Sequence, residues 1–243
     1  MISVCMAVHN GEKYIRQQID SILQQLSVDD ELVISDDGSS DGTLSVIRSF
    51  DDDRVKLVYD DRKKQGLSKV EMTTLNFENA LKHAKGDYIF MSDQDDVWLP
   101  CKVELTMNAL KDSDYVVSDC FIVDKDLNIL HDTRFYKGSG LTKSRWKALI
   151  SPTPYQGSCA AFRRSVLEKA LPFPEGIQSH DRWIGYVASF YFDYVILEVP
   201  LIYYRRHSDT VSMAAVGESR DTLFNKIRNR MKYMSELVKL SFD

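Results

Sequence analysis

The sequence predicts an α/β fold in which helices flank a Rossmann-like, mostly parallel central sheet. Short apolar runs typical of buried strands alternate with segments of helical period over residues 1–97. Two of those runs end in acidic clusters, as expected where parallel strands deliver side chains to one edge of a sheet. An amphipathic segment over residues 211–243 predicts a C-terminal helical tail.

Composition narrows the class of protein. The 243 residues are 44% hydrophobic and 28% charged, which suits one sizeable globular domain. A net charge of −5 argues against a nucleic-acid partner. The cysteines are widely spaced without a C-x-x-C pair, so we expect neither a zinc site nor disulfides, and a reducing cytoplasm. Residues 1–4 enter a strand directly, which predicts no secretory leader.

The first half of the chain has the clearer pattern. Apolar, β-branched runs predict strands over residues 2–8, 32–34, 55–59 and 88–91. Helical spacing of apolar residues predicts helices over 14–26, 43–49 and about 75–81. Strands that alternate with helices favour a parallel sheet.

After Pro100 the predicted strands and helices no longer alternate regularly. We expect helices over 102–110, 165–170 and 181–192, and a polar loop region over 124–140. Strands are predicted over 115–118 and 158–162, and two extended pieces, 195–199 and 201–204, flank Pro200.

The acidic motif Ser92-Asp93-Gln94-Asp95-Asp96 follows the strand over 88–91 and is the most informative feature of the chain. These like charges repel one another, and a divalent cation that binds oxygen ligands would compensate them. Asp36 and Asp37 end the strand over 32–34 in the same way. The alternatives are a helix N-cap at Asp96 and an Asx-turn at the upstream pair.

Taken in order, these motifs resemble the family 2 glycosyltransferases, which have the GT-A fold. The resemblance covers residues 2–210, and its matching segments are 8–15, 36–43, 76–80, 86–98, 157–158, 180–181 and 203–207. The Asp-Gln-Asp-Asp variant is similar to that of bacterial rhamnosyl- and hexosyltransferases that make surface polysaccharides. The family commonly has Tyr where this chain has His9.

The resemblance implies a glycosyltransferase domain over 1–210, with a nucleotide-binding half (1–97) and an acceptor-binding half (98–210), followed by the tail over 211–243. A UDP- or dTDP-sugar would be the donor. Asp36 and Asp37 would bind its base and ribose, and Gly38 would leave room for the base. The other residues assigned to the nucleotide sugar are Val8, His9, Asn10, Asp93, Gln94 and Arg206.

By the same resemblance, Asp95 is a direct ligand of Mn²⁺ or Mg²⁺, and Asp93 contacts ribose or a metal-bound water. His207 would complete the metal site, with contact to the diphosphate as its alternative role. Asp181 is the candidate catalytic base, because inverting transfer needs a carboxylate to remove the acceptor hydroxyl proton. A helix N-cap is its alternative role. Acceptor or sugar contacts are assigned to Gly157, Ser158, His180 and Trp183, with a structural role as the alternative for His180 and core packing as the alternative for Trp183.

These assignments predict an inverting, metal-dependent transferase that adds one sugar to a lipid-linked bacterial glycan. The segment around Arg205 lacks the Gln-x-x-Arg-Trp pattern of processive synthases, which favours single addition. Two other classes remain open. A nucleotidyltransferase would need a Gly-rich, basic phosphate loop after the first strand, and a non-catalytic nucleotide-sugar-binding protein would not need Asp181.

The tail has an apolar stripe with basic residues mainly off it, which suits contact with an anionic membrane surface through residues 220–243. Packing on the domain and homodimer formation are the alternatives. We therefore expect a cytoplasmic location, with peripheral attachment to the inner face of the cell membrane as a further possibility. The stripe consists of Leu223, Phe224, Ile227, Met231, Met234, Leu237 and Val238.

Overall fold

A computed structural model describes residues 1–62, 66–136, 139, 141–142, 144–149, 152–206 and 223–242. Its strands are β1 (Ile2–Val8), β2 (Glu31–Asp36), β3 (Val55–Tyr59), β4 (Tyr88–Ser92), β5 (Val97–Trp98), β6 (Tyr115–Val123), β7 (Ile129–His131), β8 (Ala160–Arg163) and β9 (Tyr194–Arg205). Its helices are α1 (Ile15–Leu23), α2 (Thr43–Arg48), α3 (Lys69–His83), α4 (Lys102–Ala109), α5 (Arg145–Ala148), α6 (Arg164–Ala170), α7 (His180–Tyr191) and α8 (Leu223–Lys239). Across these described ranges, all the strands belong to one sheet, ordered β3-β2-β1-β4-β8-β6-β9-β5, with β7 beside β6.

The first half of the sheet is parallel, as predicted. β1 pairs with β2 and β4, and β2 pairs with β3, all in parallel. Every residue of β1 and of β2 is buried, which explains the nearly continuous apolar character of β1 and of the centre of β2. α1 covers the sheet with Ile15, Ile19 and Ile22, and α3 covers it with Phe77 and Leu81. The carboxyl ends of β1, β2 and β4 therefore meet along one edge, which we call the carboxyl edge.

The second half of the sheet is mixed. β8 is antiparallel to both β4 and β6, whereas β6 and β9 are parallel. β7 lies within the segment predicted to be a polar loop. Gly157–Cys159 forms a 3₁₀ turn, and β8 begins only at Ala160, so the predicted strand over 158–162 is wrong at its start. Apolar periodicity indicates burial but carries no information on strand direction.

β9 is one continuous strand and not the two pieces predicted on either side of Pro200. The register between β6 and β9 shifts next to Asp119, which pairs with Pro200. Proline lacks the amide that a regular ladder uses, and a register irregularity is where a sheet tolerates it. β9 therefore continues to Arg205 and reaches the far side of the acidic motif.

The tail helix α8 packs on α7 through one face. Tyr233 and Leu237 are buried there, and the Tyr233 ring meets Tyr186 edge-on with 5.4 Å between centroids. The outer face of α8 leaves apolar side chains in solvent: Met231 is 65% exposed and Val238 is 58% exposed. Of the predicted apolar stripe, Leu237 is buried by this packing, whereas Met231, Met234 and Val238 are exposed, and the side chains of residues 223–227 lie outside the described part of the chain. Of the helices in the described ranges, none is long and apolar enough to cross a bilayer.

Candidate active site

The carboxyl edge brings the two acidic clusters together. Val8 is in register with Asp36 on the neighbouring strand, and on the other side of β1 Met6 is in register with Ser92. The amide of Asp37 donates to the carbonyl of Val8 at 3.0 Å. The segments expected to bind a nucleotide sugar therefore start side by side.

Asp36 combines a structural contact with an unused acceptor. Its Oδ2 accepts hydrogen bonds from the amides of Gly38 (2.9 Å) and Ser39 (3.0 Å). Gly38 has φ of +71°, a left-handed conformation that favours glycine. The Asx-turn alternative therefore explains one oxygen of Asp36. The other, Oδ1, is buried without a hydrogen-bond partner among the described residues, a rare condition that a bound ligand or water normally relieves.

His9 and Gln94 connect the loop after β1 to the acidic motif. The His9 amide donates to Gln94 Oε1 at 2.9 Å, and Gln94 Nε2 donates back to the His9 carbonyl at 3.1 Å. A Cβ on Gly11 would lie 2.6 Å from Gln94 Oε1, so any other residue at position 11 would displace the Gln94 side chain. The His9 ring uses Nδ1 to contact the Asp37 carbonyl at 2.9 Å. Gln94 thus organises the loops, with its amide group occupied by backbone partners.

Asn10 links the same loop to the segment after Asp36. Its amide donates to Ser39 Oγ at 2.9 Å, and its Oδ1 accepts from the Ser40 amide at 2.8 Å. Its φ of +50° is one that asparagine tolerates better than most residues. Asn10 therefore braces the loop that carries Asp36 and Asp37.

The acidic loop, residues 93–96, holds carboxylates that oppose one another. Burial raises the pKa of Asp93, and the charges of Asp95 and Asp181 raise it further. Asp96 is fully buried, and burial together with the charge of Asp95 raises its pKa well above the usual range. Its Oδ1 accepts the Arg205 amide at 3.0 Å, and its Oδ2 has no partner within the described residues. Asp96 is thus a structural anchor, whereas Asp93, Asp95 and Asp181 concentrate negative charge.

Arg205 holds the acidic loop from behind, a role for which the sequence offered no signal beyond its place in the last matching segment. It is 2% exposed, and its Nε donates to the Asp95 carbonyl at 2.7 Å. Its other nitrogens donate to the Lys125 carbonyl (2.6 Å) and to Gln17 Oε1 (2.9 Å). The guanidinium lies 4.5 Å from the Tyr14 ring centroid. Arg205 therefore fixes the backbone from which Asp95 projects.

Arg206 and His207 follow Arg205 in the chain, and the structure describes the first of them. The amide of Arg206 donates to the Val123 carbonyl at 2.8 Å, while its Nη1 is buried without a partner among the described residues. Such a guanidinium nitrogen retains a donor for an anionic ligand. His207, predicted to complete the metal site, lies outside the described residues.

Ser158 and Lys102 form the floor behind the acidic loop. The Ser158 hydroxyl is buried near Asp93 and Asp96, where it offsets a small part of the rise in the pKa of both carboxyls. It makes no hydrogen bond of normal geometry to the described residues. Its carbonyl accepts from Lys102 Nζ at 3.2 Å. Burial lowers the pKa of Lys102 to about 8. The sequence analysis missed this lysine, because a single basic residue at a helix start ordinarily faces solvent.

Asp181 sits in the first turn of α7, but Ser179 and not Asp181 is the N-cap residue. The carboxylate Oδ1 accepts from the Arg182 amide at 2.7 Å and from the Ser179 hydroxyl. A Cβ on Gly157, the neighbour of Ser158, would lie 3.5 Å from Asp181 Cβ, so Asp181 lies beside the segment that carries Ser158. Asp181 is thus not the N-cap residue itself, although an acidic side chain in the first turn also stabilises the start of a helix.

His180 is held in an apolar setting. Its ring stacks on Phe77 with 4.0 Å between centroids, and Nδ1 is buried without a partner among the described residues. Burial lowers the pKa of His180 to about 4, so the ring is neutral near pH 7. A Cβ on Gly157 would lie 3.2 Å from His180 Nε2, which explains the glycine there. The predicted pair Gly157 and His180 thus lies together.

Trp183 corrects one prediction. It is 1% exposed, and its indole nitrogen donates to the Ala170 carbonyl at 2.8 Å. α7 turns this side chain towards α6 and away from solvent. Trp183 is therefore a core residue and not a sugar contact.

The acidic loop fits a divalent cation that is shared with a ligand. Across the described ranges, no three His, Cys, Asp or Glu side chains are grouped so that they could hold a metal by themselves. Mg²⁺ characteristically takes one or two carboxylates and completes its shell with substrate phosphates and water. Asp93 and Asp95, whose charges oppose each other, supply such a partial shell.

The sequence and the fold of this chain are similar to those of known glycosyltransferases. WfgD of Escherichia coli, a UDP-Glc:α-D-GlcNAc-diphosphoundecaprenol β-1,3-glucosyltransferase, is 34% identical over 110 residues, which are 45% of this chain and 41% of WfgD. TarS 1–349 of S. aureus with UDP-GlcNAc superposes with a TM-score of 0.68 at 17% identity, covering 98% of this chain and 66% of TarS 1–349. The mannosyltransferase PcManGT of Pyrobaculum calidifontis, with GDP-Man and Mn²⁺, gives a TM-score of 0.58 at 19% identity, over 98% of this chain and 64% of that one.

This chain spans two thirds or less of the length of each of these three proteins. The structural matches agree with the predicted GT-A fold. The sequence profile of glycosyl transferase family 2 matches residues 3–171, which is more than half of the chain. The chain therefore belongs to glycosyl transferase family 2.

Proposed function

We propose that this protein is an inverting, metal-dependent glycosyltransferase that moves one sugar from a UDP- or dTDP-sugar to a hydroxyl of a glycan acceptor. One observation carries the proposal. Asp93 and Asp95 follow β4 at the carboxyl edge, and Asp181 at the start of α7 is near enough that, after burial and the charge of Asp95, its charge also raises the pKa of Asp93. A transferase needs these groups together, because the metal, the leaving diphosphate and the base act on a single carbon atom.

Asp36 supports a pyrimidine donor. Its buried Oδ1 has no hydrogen-bond donor among the described residues, and the N3–H of uracil or thymine is such a donor. UDP-Glc is the donor named for WfgD, and UDP-GlcNAc is the ligand of the TarS complex. The identity of the sugar remains open between dTDP-rhamnose, UDP-hexoses and UDP-N-acetylhexosamines.

We assign Mn²⁺ or Mg²⁺ to Asp95, with Asp93 beside it. When bound, the ion would neutralise the diphosphate and so make it a better leaving group. Arg206 Nη1, which has no partner among the described residues, is available to an anionic ligand. Arg205 keeps the backbone of Asp95 in place through its 2.7 Å bond.

We assign the proton transfer to Asp181. As the acceptor oxygen bonds to C1 of the sugar, its proton passes to Asp181 while the bond from C1 to the phosphate oxygen breaks. The products are the extended glycan and a nucleoside diphosphate. Both hydrogen bonds to Asp181 from the described residues end on Oδ1, which leaves Oδ2 for the acceptor hydroxyl. One direct displacement inverts the configuration at C1.

We further propose that the acceptor is linked to a polyprenyl lipid and that α8 brings the enzyme to the membrane face. The acceptor named for WfgD is a diphosphoundecaprenol. The outer face of α8 exposes Met231, Met234 and Val238, and Arg228 is exposed on the same helix; Phe242 is exposed just beyond its end. Apolar side chains with basic neighbours suit an anionic lipid surface.

The test is nucleotide-sugar turnover. The purified protein is offered a panel of UDP- and dTDP-sugars with Mn²⁺, and released nucleoside diphosphate is measured before and after EDTA. We expect release with at least one donor, loss of release in EDTA, and restoration by Mn²⁺ or Mg²⁺. Asp95→Ala should abolish release, while the matched surface change Asp20→Ala on α1 should not. Full turnover in EDTA would overturn the metal assignment.

A further inference from the structure

We propose that Tyr233 on the tail helix α8 is a positioning residue for Asp181. The inference rests on the proposed role of Asp181 as the catalytic base. It extends that role to a helix that lies beyond the 3–171 match to the family and packs on α7. The tail helix would then act on catalysis and not only on attachment.

The Tyr233 hydroxyl holds the residue before α7. It accepts a hydrogen bond from the Ser179 amide at 3.1 Å and lies 3.4 Å from the Ser179 carbonyl, to which it donates. The Ser179 hydroxyl in turn donates to Asp181 Oδ1. Two hydrogen-bonded steps therefore join Tyr233 to the carboxylate.

The segment before α7 is clamped from two sides. Asn229, one turn before Tyr233 on α8, donates to Gln178 Oε1 at 2.6 Å. From the opposite side, Thr74 on α3 donates to the Gln178 carbonyl at 3.0 Å. With Tyr233 on the next residue, α8 contacts both residues that precede α7. The position of the first turn of α7 thus depends on α8.

The Tyr233 hydroxyl suits a fixed support. The residue is 4% exposed, and burial raises the pKa of Tyr233 well above its ordinary value, with Asp181 adding to the effect. The hydroxyl therefore stays protonated and donates throughout the working range of an enzyme. A buried hydroxyl that both donates and accepts has one preferred orientation, which restricts the Ser179 cap.

This restriction matters because of where Asp181 binds its neighbours. Ser179 and Arg182 both donate to Oδ1, so the Ser179 hydroxyl sets the rotation of the carboxylate. A base must lie within hydrogen-bond reach of the proton that it removes. A displacement of about 1 Å at a reacting group can cost on the order of a hundredfold in rate.

The competing explanation is that Tyr233 only fills the core. Its ring does pack edge-on against Tyr186. Tyr186 offers a matched control, because it is buried in the same ring pair and its hydroxyl donates to the Ala148 carbonyl at 2.9 Å, away from Ser179. Packing predicts the same outcome for both tyrosines, whereas positioning predicts a difference.

The experiment compares Tyr233→Phe with Tyr186→Phe, each of which removes one hydroxyl and keeps the ring. We expect Tyr233→Phe to lower kcat about tenfold with the donor KM unchanged, and Tyr186→Phe to leave kcat within about twofold. Independently of activity, hydrogen exchange at the Ser179 amide should accelerate about tenfold in Tyr233→Phe alone, because its acceptor is gone.

The outcomes separate this inference from the proposed function. Wild-type kcat in Tyr233→Phe, together with a strongly impaired Asp181→Asn, would overturn the positioning role and leave the function standing. Equal losses of kcat and melting temperature in both tyrosine variants would also overturn it, in favour of packing. If the wild type transfers no sugar, the proposed function fails, and unchanged Ser179 exchange in Tyr233→Phe would independently overturn the structural tie.

Discussion

The amide of Arg205 donates a hydrogen bond to Asp96 Oδ1 at 3.0 Å, joining two residues that are 109 positions apart in the chain. The Arg205 side chain also binds the Asp95 carbonyl at 2.7 Å. The end of β9 therefore holds two consecutive residues of the acidic loop. Asp96, the last carboxylate of the motif, supports this contact from a fully buried position.

Replacing Arg205 should weaken both the fold and the site. In Arg205→Met, the carbonyl groups of Asp95 and Lys125 lose buried hydrogen bonds to a charged donor, so we expect a loss of about 3 kcal/mol in unfolding free energy and weaker binding of UDP with Mn²⁺. Arg164→Met is the control, because Arg164 bonds the carbonyls of Ala84 and Gly86 at the start of β4. Arg164→Met should lower the unfolding free energy without changing the affinity for UDP with Mn²⁺. Urea unfolding and calorimetry measure the two quantities, and equal UDP affinities in both variants would contradict the prediction.

Asp181→Asn should remove the base and spare donor binding. The donor is assigned to the carboxyl edge and the acidic loop, so UDP or dTDP affinity and melting temperature should stay near wild type. Loss of a general base typically lowers the rate about 10²- to 10⁴-fold, and we expect kcat to fall by that factor. The product anomer should be inverted relative to the donor, as read by NMR. Near wild-type kcat, or retained configuration, would refute the mechanism.

Asp36 and Asp37 should select a pyrimidine nucleotide. A purine is larger and presents no equivalent N3–H to the buried Oδ1 of Asp36. Calorimetry with UDP, dTDP, GDP and ADP in the presence of Mn²⁺ should rank the first two above the others. PcManGT binds GDP-Man within a related fold, so a preference for GDP is a physical alternative, and observing it would overturn this assignment.

The outer face of α8 should bind anionic vesicles. Serine in place of Met231 and Val238, which are 65% and 58% exposed, should reduce sedimentation with anionic liposomes and leave donor hydrolysis unchanged. These substitutions are cleaner than removal of residues 220–243, because truncation would also take Tyr233 and Leu237 out of the core. Vesicles of zwitterionic lipid are the control. If the variant still sediments with anionic liposomes, the face does not bind the membrane. If the wild type is a dimer and the variant a monomer, the face is a dimer interface.

His180 should make stability depend on pH. Its folded pKa of about 4 lies below the ordinary 6.5, so the unfolded chain takes up the proton first as pH falls. Its contribution is complete above about pH 6.5 and is lost as the pH falls towards 4. His180→Gln cannot titrate, so the fall in melting temperature between about pH 7.5 and about pH 5 should be smaller than in wild type. An equal fall would show that His180 does not contribute.

Much of the fold was accessible from local pattern. Strand and helix positions in the first half follow from the period of apolar residues. Turn residues such as Asn10 and Gly11 mark where these elements end, because they favour local backbone conformations that interrupt a strand or helix. The meeting of Asp36 and the acidic loop at one edge followed from the same pattern, because parallel strands end together. The family resemblance supplied the roles proposed for these residues.

The sequence by itself therefore determined which segments are buried strands and helices, and which strands deliver carboxylates. Only the tertiary structure decided that β8 runs antiparallel, that β9 continues through Pro200, and that Trp183 points into the core. It also decided that Arg205, Lys102 and Tyr233 reach the backbone around the acidic loop and Asp181. The physical reason is that the period of apolar residues reflects which side chains are buried. A hydrogen bond between distant segments depends instead on how the whole chain folds.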